Sequence, residues 1–221
     1  MLKKIKDNTF LHQLKRLYRL KKKDILVRLE EFQSVWAECN DEGIFTELAF
    51  CILTPQSKAR TCWDAIIKLK NNDLLFQGTV EQTKPYLNCA RFKNKKARYL
   101  VETRKLFMEN GKISIKPRLS AFDSIYACRD WFVQNIRGIG YKEASHFLRN
   151  IGLGEDIAIL DRHILRNLAI IGLIENIPNS MSRKKYLQIE REMAEFAKQI
   201  HIPLSHLDLL FWYKETGEIF K

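Results

Sequence analysis

Ile136-Arg137-Gly138-Ile139-Gly140-Tyr141-Lys142-Glu143-Ala144 is the stretch on which the reading of this 221-residue chain turns. Two glycines flank one apolar residue, a pattern that lets backbone N–H groups point outward at the start of a helix and form a nest for a phosphate. Gly-x-Gly alone describes any tight turn, so the flanks decide. Upstream, Ile125, Cys128, Phe132 and Ile136 recur at steps of three and four, which is one apolar face of a helix. That helix must stop at Gly138, where the backbone can take positive φ. Downstream, Ala144, Phe147, Leu148 and Ile151 mark the face of a second helix. Ile139 anchors the turn in the core, and the small Ala144 lets the helices approach. The segment therefore reads as a helix, a short hairpin and a helix.

Helical periodicity extends outward in both directions, without a convincing run of strand alternation, so the predicted fold class is all-α. Ile25, Leu29, Phe32 and Trp36 form the apolar stripe of a first long helix. A second helix is expected from about Thr46 to Leu53, ending near Pro55. Ala59, Trp63, Ile66 and Leu69 mark a third, and Ala97, Leu100, Val101 and Phe107 another. Asp161 precedes Ile164, Leu165, Leu168 and Ile171 and is placed to cap their helix, as Ser182 is for Tyr186, Ile189, Met193, Phe196 and Ile200. A last helix passes through Leu207, Leu210 and Phe211 and ends before Gly217.

Composition narrows the partners. Apolar residues are 46% and charged residues 29%, ordinary for a globular protein and too apolar for a disordered one. The longest apolar runs, such as Leu48 to Leu53, fall far short of the ~20 residues a bilayer needs, and the N-terminus lacks a signal-peptide core. A cytoplasmic protein without a membrane partner is expected. Lys and Arg exceed Asp and Glu by 38 to 26, a net charge of +12 that favours polyanions and nucleic acid above all. Cys39, Cys51, Cys62, Cys89 and Cys128 are widely and irregularly spaced, which reads as reduced core thiols and not as a zinc or redox pair.

Gly138-Ile139-Gly140-Tyr141-Lys142 followed by Ala158-Ile159-Leu160-Asp161-Arg162-His163 resembles the signature of the helix-hairpin-helix DNA glycosylases, including the nineteen-residue separation of Lys142 and Asp161. Within that superfamily, residues 135–167, the stretch Ala49 to Thr54, Arg91-Phe92 and the ending at Lys221 are similar to the compact type-two 8-oxoguanine DNA glycosylase/lyases of archaea and some bacteria. The resemblance implies a two-lobed fold in which a helical bundle over 45–150 faces a second lobe of 1–44 and 151–221, with the active site in the cleft between them. It implies a base-excision repair enzyme acting on damaged double-stranded DNA, as a monomer, first as a glycosylase and then as an abasic-site lyase.

The chemistry suits these residues. A base inside a duplex cannot be attacked, so the nucleotide must be flipped out while phosphate contacts hold the distorted backbone. Arg137, Gly138 and Gly140 are the expected DNA-backbone contacts. Lys142 would attack the sugar C1′ as a neutral amine, which requires a pKa well below the ordinary ~10.4. Base loss leaves a Schiff base, from which β-elimination cuts the strand. Asp161, ionised at a helix N-terminus, would stabilise oxocarbenium character and help to take up the lysine proton. Taken singly, Lys142 is a surface lysine and Asp161 a helix cap. Their spacing after the hairpin, read with the resemblance, makes them the catalytic pair.

By the same resemblance, Phe92, Trp212 and Lys221 are expected at the base-recognition site. Arg91, Lys93, Lys95, Lys96 and Arg98 are read as a basic, DNA-facing cluster around Phe92. His163 has no second histidine at a ligand spacing and is read as a packed side chain. The iron–sulfur centre of endonuclease III-like relatives needs a C-terminal cysteine cluster, and no cysteine lies beyond Cys128. No cofactor or metal is therefore expected. Two alternatives stay open on these residues: a helix-hairpin-helix glycosylase for another damaged base, and a noncatalytic DNA-binding module.

Overall fold

The computed structural model describes residues 8–221. The chain runs through α1 (Asn8–Glu38), α2 (Asp41–Leu53), α3 (Ala59–Asn71), α4 (Leu74–Gln77), α5 (Val80–Thr83), a 3-10 turn (Lys84–Leu87) and α6 (Lys93–Leu106). A minimal hairpin, β1 (Met108–Glu109) and β2 (Lys112–Ile113), precedes α7 (Lys116–Ser120), α8 (Ile125–Asn135), α9 (Tyr141–Asn150), α10 (Arg162–Ile171), α11 (Arg183–Ile200) and α12 (Leu204–Thr216). The all-α reading holds, with the two-residue strands as its exception. Among the described residues, no helix is long and apolar enough to cross a membrane.

Two compact units divide the chain, one spanning Gln33–Leu153 and the other comprising the residues up to Phe32 together with Gly154–Lys221. In the Gln33–Leu153 unit, α2 is the central element. Its residues from Ile44 to Leu53 are all buried, so it is enclosed on every side, and α3, α6 and α9 pack on it. The helix starts five residues before the expected Thr46 because Asn40 caps it, its side chain accepting the Gly43 N–H at 3.0 Å. Asp41 then accepts the N–H groups of Ile115 and Lys116, both at 2.7 Å, and fixes the entry to α7. An aromatic cluster of Phe107, Trp131, Phe132 and Phe147 joins the β-hairpin end to α8 and α9.

In the other unit, α12 packs against both α10 and α11. Leu168, Met193, Phe196, Leu207, Leu210 and Phe211 fill the space between them. The hydroxyl of Tyr18 meets His206 Nδ1 at 2.9 Å, linking α1 to α12. Burial holds the His206 imidazole below its ordinary pKa.

The five cysteines are free thiols, but they do not all belong to the core. Cys51, Cys62 and Cys128 are buried, and desolvation raises each thiol pKa, to about 11 for Cys62 and about 12 for Cys128. Cys39 is half-buried and Cys89 is exposed, which corrects the uniform reading of core thiols.

Candidate active site

The hairpin between α8 and α9 is built as its glycines require, though the two differ. Gly138 has φ +85, and a Cβ there would stand 2.6 Å from the ring of Tyr99, so both backbone and packing demand glycine. Gly140 has φ −103 and ψ −174, ordinary extended backbone that any residue adopts. Of the two glycines, only Gly138 is held by positive φ. Ile139 is buried, as the anchoring reading requires.

Gly140 is the N-cap of α9, and its N–H donates to Glu143 Oε2 at 3.1 Å. One of the donors expected to face a phosphate is thus satisfied within the chain. The N–H groups of the next residues belong to the first helical turn, where α-helices leave donors without intrahelical acceptors and carry partial positive charge. Arg137, beside them, is strongly exposed, its guanidinium 3.7 Å from Glu102.

Lys142 is the second residue of α9 and is half-buried. Its Nζ lies 3.2 Å from Glu143 Oε1. A single carboxylate thus caps the hairpin with one oxygen and holds Lys142 with the other. α9 packs directly on the central helix α2. The two hairpin helices are locked from behind by Arg129. Its buried guanidinium donates to Ser145 Oγ at 3.1 Å and lies 5.6 Å from the ring centroid of Tyr126 and 5.5 Å from that of Tyr141. Tyr141 adds a hydroxyl bond to Asp130 at 2.6 Å.

In the other unit, Asp161 is the N-cap of α10, with Oδ1 accepting the Ile164 N–H at 2.8 Å. This is the capping geometry its position suggested. His163 packs its ring edge-on against Trp212, centroids 5.2 Å apart, as the packed reading expected. Around them, Glu215 on α12 gathers donors from α10 and its own helix. Arg166 Nη1 lies at 3.0 Å, Asn167 Nδ2 at 3.2 Å and Lys214 Nζ at 3.2 Å. Lys221 is half-buried in the same unit.

Phe92 is 51% exposed and takes a left-handed backbone, φ 60, at the start of α6. The Arg91 guanidinium lies 5.0 Å from its ring centroid. Arg91, Lys95 and Arg98 are exposed with Phe92, but Lys96 does not share that face. It is buried, and its ammonium donates to Leu53 O at 2.7 Å, Pro55 O at 2.7 Å and Ser57 Oγ at 3.0 Å. Lys96 closes the C-terminal end of α2, where cations suit the helix dipole, and burial lowers its pKa. Membership of the basic cluster is corrected accordingly. Glu143, Arg129 and the inward role of Lys96 were missed by the sequence reading. Of the three, only Glu143 carried a signal, standing three residues after a helix start as in a capping box.

A family model described as 8-oxoguanine DNA glycosylase matches residues 25–202. The chain is similar to an 8-oxoguanine DNA glycosylase/AP lyase of Fusobacterium nucleatum, 45% identical over 217 residues that cover 98% of this chain and 100% of that protein. Among solved structures it is similar to the Methanocaldococcus jannaschii 8-oxoguanine glycosylase/lyase in complex with a 15mer DNA containing 8-oxoguanine. That match has a TM-score of 0.85 at 36% identity and covers 95% of this chain and 100% of that one. It is also similar to the Thermotoga maritima 8-oxoguanine DNA glycosylase, with a TM-score of 0.85 at 34% identity and coverage of 96% and 98%.

Proposed function

The chain belongs to the 8-oxoguanine DNA glycosylase family, and we propose that it excises 8-oxoguanine from double-stranded DNA and then cuts the strand through a Schiff base on Lys142. The observation that carries the assignment of the nucleophile is the position of Lys142. It stands half-buried in the first turn of α9, immediately after the Gly138–Gly140 hairpin, with its amine held by Glu143.

The hairpin and Arg137 grip the DNA backbone on either side of an extruded nucleotide, where the first-turn N–H groups of α9 suit a phosphate. Lys142 gives up a proton, which the Asp161 carboxylate helps to take up and the departing base carries off, and its lone pair attacks C1′ as the glycosidic bond breaks, the bonding pair leaving with the base. Asp161, which uses only one oxygen to cap α10, offers the other to the positive charge that develops on the sugar. Ring opening gives the iminium linkage to Lys142. Loss of a C2′ proton then expels the 3′ phosphate by β-elimination. Phe92, Trp212 and Lys221 are assigned to recognition of the base: the exposed Phe92 ring and the partly buried Trp212 ring supply stacking surface, and Lys221 supplies polar groups. All proposed residues lie on one chain, so a monomer suffices.

Borohydride trapping on a panel of duplexes with different lesions tests this reading. The protein should give a covalent adduct with 8-oxoguanine duplex, and Lys142→Gln should bind that duplex without forming it. An undiminished adduct with Lys142→Gln would remove Lys142 from the mechanism. Preferential trapping on another damaged base would move the substrate.

A further inference from the structure

The segment that delivers Asp161 is both buried and irregular. Ile157, Ala158, Ile159 and Leu160 are each at most 6% exposed, yet they belong to no helix or strand. Backbone amides in such a stretch have no ladder of their own and must find partners elsewhere. Two side chains of α11 supply them. Tyr186 donates its hydroxyl to Ala158 O at 2.6 Å and accepts the Leu160 N–H at 3.2 Å. Glu190 Oε1 accepts the Ala158 N–H at 2.8 Å. The two stand four residues apart on one face of the helix, and both are buried, at 1% and 5% exposure.

The next residue is Asp161. Its own N–H bonds back to Ile159 O at 2.8 Å, and its Oδ1 is committed to the Ile164 N–H. The direction of its second oxygen therefore follows from where the backbone of 158–160 is held. We propose that Tyr186 and Glu190 are positioning residues for Asp161, setting the carboxylate through the main chain without touching DNA. Tyr186 reads in the sequence as one more apolar position on a helix stripe; its hydroxyl is what the structure adds. The proposal rests on the reading of Asp161 as the carboxylate that acts on the sugar.

The test is single-turnover base release and borohydride trapping on 8-oxoguanine duplex at saturating protein, with duplex Kd and thermal melting measured alongside. Asp161→Asn should slow both reactions. Tyr186→Phe removes one oxygen and should slow them by about tenfold at unchanged Kd. Glu190→Gln keeps an acceptor for Ala158 and should stay within about threefold of the parent, whereas Glu190→Leu should fall as Tyr186→Phe does. In the Asp161→Asn background, Tyr186→Phe should cost nothing further, because residues that act through one another are not additive. Full activity in Tyr186→Phe, or an equal further loss in the double variant, would overturn the proposal and leave the Asp161 reading intact. Full activity in Asp161→Asn would overturn both, at Asp161 itself.

Discussion

Glu143 divides its carboxylate between two partners, and the division separates two effects in one side chain. Oε2 holds the Gly140 N–H and Oε1 holds the Lys142 amine, at 3.1 and 3.2 Å. Glu143→Gln preserves one carbonyl oxygen for the cap and loses the charge facing Lys142. It should melt within about 0.5 kcal/mol of the parent, while trapping slows by roughly three- to tenfold because the nucleophile is less well placed. Glu143→Ala should lose the cap as well, at a cost of about 1 kcal/mol. Equal trapping rates in the parent and Glu143→Gln, measured at saturating protein, would show that the ion pair is incidental. Residues of this kind mark the limit of what the sequence discloses. Lys142 and Asp161 were singled out only as a pair, by their spacing after the hairpin read together with the family resemblance. The inward role of Lys96 was not legible, because a lysine among lysines gives no sign of which one turns inward to close a helix 43 residues away in the chain.

At the scale of elements, legibility followed length. Helices of ten residues or more repeat their apolar step at least twice and were found; α4, α5 and α7 have four or five residues and complete barely one turn. The β-hairpin left a different trace, Asn110-Gly111, whose positive φ values of 48 and 76 are those of a two-residue reverse turn. The α8–α9 hairpin makes the sharpest prediction. Gly138→Ala must force a left-handed backbone on an L-residue, at about 1–2 kcal/mol, and drive its Cβ into Tyr99. Binding to damaged and undamaged duplex should both weaken. Gly140→Ala keeps an allowed backbone and meets only the movable Glu143 carboxylate, 3.2 Å away, so its effect should be the smaller one. Fluorescence anisotropy on both duplexes decides, and identical losses in the two variants would contradict the assignment of Gly138 as the constrained position. The α10–α12 contact makes a prediction in pH. Burial would raise the Glu215 pKa, but hydrogen bonds from Lys214, Asn167 and Arg166 more than reverse this and leave it below 4.5. A carboxylate depressed on folding stabilises above its unfolded pKa, and that contribution is lost as pH falls through the folded value. Glu215→Gln should therefore melt below the parent at neutral pH, and the two melting curves should converge as pH drops below about 4.5. A constant gap across that range would mean that Glu215 acts by shape alone.

For the molecule as a whole, the quantity that matters is the charge surplus and where it lies. Among the described residues, Lys96, Arg104, Arg129 and Arg149 are buried, as are Glu47, Glu190 and Asp208. Burial thus removes four positive and three negative charges, so a basic surplus stays on the surface of the described residues. A surplus carried outside condenses on DNA by releasing counterions, a contribution blind to base sequence and steep in salt. Recognition of a damaged base has the opposite character, since stacking and short polar contacts within a water-excluding site are little screened. Raising monovalent salt from about 50 to about 200 mM should therefore weaken binding to undamaged duplex by on the order of a hundredfold or more. The ratio of affinities for 8-oxoguanine and undamaged duplex should change by no more than about threefold over the same range, and the trapping rate of the bound complex should hardly move. Titrations of the two duplexes at several salt concentrations give both quantities. If discrimination collapsed together with affinity, lesion choice would itself be electrostatic, and the aromatic and polar groups assigned to the base would lose their role.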